Sequence, residues 1–149
     1  MKKTDIERLK KIVSVWEALS SEITQRSITR ELLLTEQFSQ WAVTTPIYNI
    51  GEQVYQLSPE FKKEYPDIPW SVVSGLRHRL VHDYDGINWS LIADVIFDDM
   101  EPFVMQVKYI LRNEAAERLI AELDKGLKSA EKEWLTPQEV ETQLGLRNE

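Results

Sequence analysis

Apolar residues recur along this chain at steps of three and four, and nowhere at sustained steps of two. Ile6, Leu9, Val13, Trp16, Leu19 and Ile23 mark one such stripe. Leu91, Ile92, Val95, Ile96, Met100, Phe103, Val107 and Ile110 mark another. Steps of three and four put apolar side chains on one face of a helix, whereas a half-buried strand needs alternation. A chain with only helical stripes must bury them helix against helix. Four amphipathic helices with short links predict an all-α fold, a helical bundle. With 149 residues and 42% apolar content, there is material for one real core.

Boundary signals divide the chain further. Thr4-Asp5-Ile6-Glu7 has the pattern of a capping box at the first helix. Ser27 is a candidate cap for a second helix, from Ile28 to about Leu57, with Leu33, Phe38, Trp41, Tyr48 and Val54 as its apolar set. Pro46 lies inside that run and should kink or break it. Ser58-Pro59 should end it, leaving residues 59–69 as a polar linker. Pro69 suits the first position of a short helix that buries Val72, Val73, Leu76 and Leu80 and stops at the turn Asp85-Gly86. Asn88 can cap a helix from Trp89, and Pro102 should bend it. Trp16, Trp41, Trp70, Trp89 and Phe103 read as core or dimer surface rather than a base-stacking platform.

Composition excludes several classes. There is no cysteine, so disulfides and cysteine-ligated zinc are out. Two histidines alone leave little basis for a transition-metal site, and no cofactor is expected. No apolar run approaches the ~20 residues a bilayer span needs, so a cytoplasmic protein with no membrane contact is expected. The net charge of −7 argues against a general nucleic-acid coat. Its distribution divides the chain into 1–112 and 113–149. The first part holds 13 basic and 16 acidic side chains, the second 5 and 9. In the second part Leu119, Ile120, Leu123, Leu127, Ala130 and Trp134 form a narrow seam weakened by Gly126, and Thr136-Pro137-Gln138-Glu139 is another capping box before a short helix closed by Gly145. Such an acidic helical extension cannot bury its seam alone. It is expected to pack on the bundle, a second protomer or a partner, and its pattern Glu122-Leu123-x-x-Gly126 followed by Trp134-x-Thr136-x-x-Glu139-Val140 is faintly similar to the toxin-binding end of RelB-type antitoxins.

The chemistry concentrates in Ile68–Gly86, which holds both histidines. His82, at the helix end, is the candidate general base or acid, because imidazole shuttles protons near neutral pH. The plain alternative is a helix-terminal histidine that complements the dipole. Arg77 can grip a phosphate with two parallel hydrogen bonds and stabilise extra charge in a transition state. A salt bridge to a helix carboxylate, with Glu52 the candidate, is compatible with that role. His78 and Arg79 are candidates for positioning phosphate; a solvated helix face is their alternative. In an ideal helix Arg77 and His82 point about 140° apart and His78 and His82 about 40° apart, so the helix must loosen at its end for the first two to meet.

Arg77, His82 and Tyr84 form the pattern Arg-x4-His-x-Tyr, which resembles the signature of the HEPN superfamily, and most of all the HepT toxins of HEPN–MNT toxin–antitoxin systems. Three blocks in order carry the resemblance: Ile50-Gly51-Glu52, Pro66-x-Ile68-Pro69-Trp70 and Gly75-Leu76-Arg77-x-Arg79-Leu80-Val81-His82. It covers roughly residues 4 to 112. His78 stands where the family often has asparagine, a mild departure. The resemblance implies a four-helix up-down bundle with a short extra helix, and a metal-independent RNase acting on RNA with Arg77 and His82 as its catalytic pair. It further implies a homodimer with two motifs in one cleft, and an MNT-type nucleotidyltransferase antitoxin that attaches AMP to Tyr84. HEPN domains also include non-catalytic modules that bind a nucleotide or a protein, which is the alternative reading.

Overall fold

The computed structural model describes residues 1–82, 86–133 and 136–145, with only the backbone described for 131–133. Asp83, Tyr84 and Asp85, where a turn was expected, and the seam residue Trp134 lie outside the described residues. The described chain is all α, with no strand. It divides into two units, Met1–Leu111 and Arg112–Glu149.

In the first unit, α1 spans Lys3–Gln25, α2 Arg30–Thr35, α3 Gln37–Tyr55, α4 Pro59–Glu64, α5 Trp70–His82 and α6 Trp89–Asp94. A π-helical turn, Val95–Asp99, leads into α7, Met100–Glu133, whose residues up to Leu111 belong to this unit. α3 is the central packing partner, lying against both α1 and α5. Leu9, Ile12, Val43, Ile47, Ile50, Leu76, Leu80, Met100 and Val107 are essentially solvent-free. An aromatic cluster joins three elements: Phe61 to Trp70 at 5.6 Å between ring centroids, and Trp70 to Phe103 at 5.9 Å. Trp70 is oriented by its indole N–H, which donates to the Tyr65 carbonyl at 2.9 Å.

Several boundaries differ from the sequence reading. α1 begins at Lys3 without a side-chain cap, so Thr4 and Glu7 form no capping box. Asp5 is instead buried and accepts from the Ser58 backbone N–H at 2.9 Å and from its hydroxyl at 2.7 Å. A buried carboxylate without partners costs several kcal/mol, so these two bonds fix the start of α1 against Ser58. Ser27 does not cap α2. Its φ of 52° is the left-handed turn that closes α1, with Ile28 N–H donating to Ile23 O at 3.0 Å. Thr29 is the cap, accepting from Leu32 N–H. The expected long second helix breaks at Glu36, not at Pro46, and α3 runs through the proline. The carbonyl that Pro46 leaves unpaired belongs to Ala42, which is exposed and so can be hydrated.

Residues 59–64 are helical, not a linker, because Ser58 caps them and Phe61 anchors them in the core. Phe38, Trp41 and Val72 are exposed at 75%, 52% and 54%, so they are not core residues. Asn88 does cap α6, accepting from Leu91 N–H at 3.1 Å. The irregularity expected at Pro102 appears as the π turn just before it. A proline ring collides with the carbonyl four residues back, and the wider turn relieves that contact at Asp98.

In the second unit, the rest of α7 carries Leu119, Ile120, Leu123 and Leu127 exposed to solvent. α8 spans Pro137–Gln143 and has its capping box in full. The Thr136 N–H donates to Glu139 and holds that carboxyl below its usual range. Gly145 follows with φ 66°. Among the described residues no helix is long and apolar enough to cross a membrane.

Candidate active site

α5 owes its helix to a buried stripe, Trp70, Val73, Leu76 and Leu80. That stripe fixes where every polar side chain of the motif points. Arg77 follows Leu76 and is half-buried, with its side chain 31% accessible. His78, Arg79 and His82 lie on the exposed face.

Arg77 faces α3. Its Nη1 donates to Glu52 Oε2 at 3.3 Å, and Glu52 is itself only 25% accessible. The guanidinium carbon also stands over the Tyr55 ring, 3.6 Å from the centroid. Glu52 further accepts from the Gln56 side chain, so the carboxylate is held by two donors. The candidate pair Arg77 and Glu52 is thus assembled as the sequence allowed. A guanidinium has five N–H donors, and this ion pair leaves others to receive an anion.

Gly51 makes the approach of the two helices close enough. A Cβ there would lie 3.1 Å from Arg77 N, 3.1 Å from Val73 O and 3.2 Å from Arg77 Cβ. Two of those three atoms are backbone of a packed helix and have little room to move. The next residue is Glu52, so the contact that demands glycine also sets the carboxylate beside the arginine.

The two histidines meet each other. His78 and His82 are one helical turn apart, with ring centroids at 4.5 Å and an interplanar angle of 36°. α5 continues through His82 without loosening, contrary to the expectation for its end. Within one chain, therefore, Arg77 turns to α3 while His82 lies with His78 on the exposed side. Arg79 is exposed on the same helix.

Tyr55 and Gly51 are the site residues that sequence reasoning did not assign. Tyr55 lies three residues after Glu52, so helical spacing places both on one face of α3. Its position was readable, but its contact with α5 was not. Lys62 lies near this corner, donating to the Tyr55 carbonyl at 3.1 Å, and burial pulls its pKa below the ordinary lysine value against the opposing pull of Asp5.

This all-α bundle, whose helices α3 and α5 present Arg77, Glu52 and exposed histidines, belongs to the HEPN superfamily. Within it the chain belongs to the Ribonuclease HepT-like family, whose family model matches residues 3–110. It is 30% identical over 100 residues to a protein of Thermococcus cleftensis named "Probable ribonuclease HepT", covering 67% of this chain and 89% of that one. It is 37% identical over 65 residues to a protein named "Putative RNase" from Caldanaerobacter subterraneus subsp. tengcongensis, covering 44% of this chain and 58% of that one. Another protein named "Putative RNase", from Methanocaldococcus jannaschii, is 30% identical over 86 residues, which is 58% of this chain and 71% of that one. No solved structure matches significantly.

Proposed function

We propose that this chain is an endoribonuclease toxin that cuts RNA without a metal and is silenced by a nucleotidyltransferase antitoxin of the MNT type. The observation that carries it is the Arg77–Glu52 pair between α5 and α3, with exposed His82 on the same helix as Arg77, inside the family-matched region. His82 takes the proton of a 2′-hydroxyl. The 2′-oxygen attacks the adjacent phosphorus, the 5′-oxygen leaves and takes a proton from solvent, and a 2′,3′-cyclic phosphate remains. Arg77 binds the phosphate and its added transition-state charge, with Glu52 as support. His78 and Arg79 hold neighbouring phosphates. The test is incubation of total RNA with the purified full chain in excess chelator. Cleavage is expected. RNA bound but left intact would favour a non-catalytic binding module instead.

Two copies are needed in this reading. Because α5 is regular to its end, Arg77 and His82 of one chain diverge by about 140°. A twofold pairing would bring two motifs to one cleft, and exposed Trp41, Val72 and Val81 supply apolar surface to bury. Sedimentation at micromolar concentration should show a dimer; an active monomer would remove the shared cleft.

Tyr84, outside the described residues, is the modification site in this proposal. An AMP group two residues from His82 would occupy the place of the RNA phosphate and oppose it by charge. Tyr84→Phe should keep much of its RNase activity and escape modification, read by mass spectrometry after co-expression with a nucleotidyltransferase of the MNT type. An adduct on another residue, or neutralisation with none, refutes this part.

Residues 113–149 complete the proposal as a partner-facing acidic extension beside a catalytic bundle of residues 1–112. Exposed Leu119, Ile120, Leu123 and Leu127 support it. Truncation at Asn113 should leave a folded helical bundle by circular dichroism and thermal melting. Aggregation or unfolding of the truncated chain would show instead that the extension belongs to the core.

A further inference from the structure

Tyr55 ends α3 with its side chain largely in water, 56% exposed. One part of its ring is nevertheless covered, by the Arg77 guanidinium at 3.6 Å. That separation is contact distance, well inside the ~6 Å over which a cation and an aromatic face attract. Glu52, one turn earlier on α3, holds the same guanidinium through a single 3.3 Å hydrogen bond. A guanidinium held at one nitrogen can swivel about that bond. A ring beneath its central carbon removes the swivel and leaves the remaining N–H groups aimed in one direction.

Tyr55 is well placed to act as such a support, because the chain around it is tied down. Its carbonyl accepts from Lys62 Nζ at 3.1 Å. Three residues on, Ser58 caps α4 and is bonded twice to buried Asp5 of α1. The corner between α3 and α4 is therefore tied across itself by Lys62 and anchored to α1 by Asp5. A surface aromatic on an anchored corner, covered by the one half-buried arginine of the motif, has a geometry that simple core packing does not explain.

We propose that Tyr55 is a positioning residue, whose ring sets the orientation in which Arg77 meets the scissile phosphate. The proposal rests on the ribonuclease reading above and adds a residue that acts through Arg77 and not on RNA. It needs the π face of the ring and makes no use of the hydroxyl. Phenylalanine should therefore replace tyrosine, whereas leucine, also apolar but without a ring, should not.

The test uses the full-length chain and a single-stranded RNA oligonucleotide containing all four bases. Tyr55→Phe should keep kcat and KM within about twofold of the unmodified chain, whereas Tyr55→Leu should lower kcat about tenfold with a smaller change in KM, the scale of one cation–π contact. Placed on an Arg77→Ala background, Tyr55→Leu should have no further effect. A second readout needs no catalysis: the Arg77 side-chain protons should be shifted upfield by the ring in NMR spectra, kept in Tyr55→Phe and lost in Tyr55→Leu. Full activity in Tyr55→Leu beside an inactive Arg77→Ala overturns the positioning role and leaves the ribonuclease reading standing. Full activity in Arg77→Ala overturns both. An unshifted Arg77 resonance in the unmodified chain overturns the ring contact itself.

Discussion

His82→Ala should lower RNA cleavage by ~10²-fold or more, the usual worth of a proton-transferring side chain. The helical circular dichroism should not change, because His82 is exposed at the end of α5 and supports no core contact. Arg77→Ala should cost ~10²-fold or more as well, through lost charge stabilisation. Its structural cost is small, since the guanidinium lies at the rim of the α3–α5 contact while the buried stripe of Trp70, Val73, Leu76 and Leu80 is untouched. His78→Ala should have a weaker effect, because in this reading it positions phosphate and takes no proton. Cleavage rates on one RNA substrate, measured beside far-ultraviolet spectra, decide the matter. A His82→Ala protein with full activity would sink the assignment.

The second large effect is expected at Gly51, which has no side chain to take part in proton transfer. In isolation, glycine in a helix interior is unfavourable by about 1 kcal/mol against alanine. Here the opposing term wins. A valine Cβ would press on Arg77 N and Val73 O at 3.1 Å, and its two methyl groups would go further into α5. Overpacking of this kind costs about 1–3 kcal/mol. For a chain of this length that corresponds to a fall in Tm of roughly 3–10 °C. Activity should fall too, because pushing α3 from α5 draws Glu52 and Tyr55 away from Arg77. Gly75 is the internal control: a Cβ there meets nothing within 4 Å. Gly75→Ala should hold or raise Tm, by up to ~1 kcal/mol in stability. Calorimetry on both variants checks the pair, and a Gly51→Val protein as stable as the unmodified chain would mean that the two helices approach less closely than described.

The class of fold was legible in the residues alone, and so was the stretch that holds the candidate site. Helical spacing without alternation left only helix-on-helix packing, and the buried stripes of α1, α5 and the early part of α7 lie largely where that spacing puts them. Arg77, His78 and His82 fall within six residues, so they could be named without knowing what lies across from them. Caps with strictly local partners were legible for the same reason: Asn88 and the box Thr136–Glu139 bond within four residues.

What failed was decided at a distance. The box expected from Thr4 and Glu7 does not form, and the start of α1 is held instead by buried Asp5, bonded to Ser58 53 residues away. Phe38, Trp41 and Val72 are apolar at helical spacing yet exposed, because spacing does not say which of two apolar faces finds a partner. Pro46 looked like a helix end, and only the exposure of Ala42 made its lost hydrogen bond tolerable. The setting of Arg77 belongs to the same class. Its hold by Glu52 and Tyr55, and the need for Gly51 beneath them, arise where α3 and α5 touch. Periodicity orders residues around a single helix axis; which residues of two helices meet is fixed by how the helices cross and how closely their backbones approach, and that is a property of the packed core.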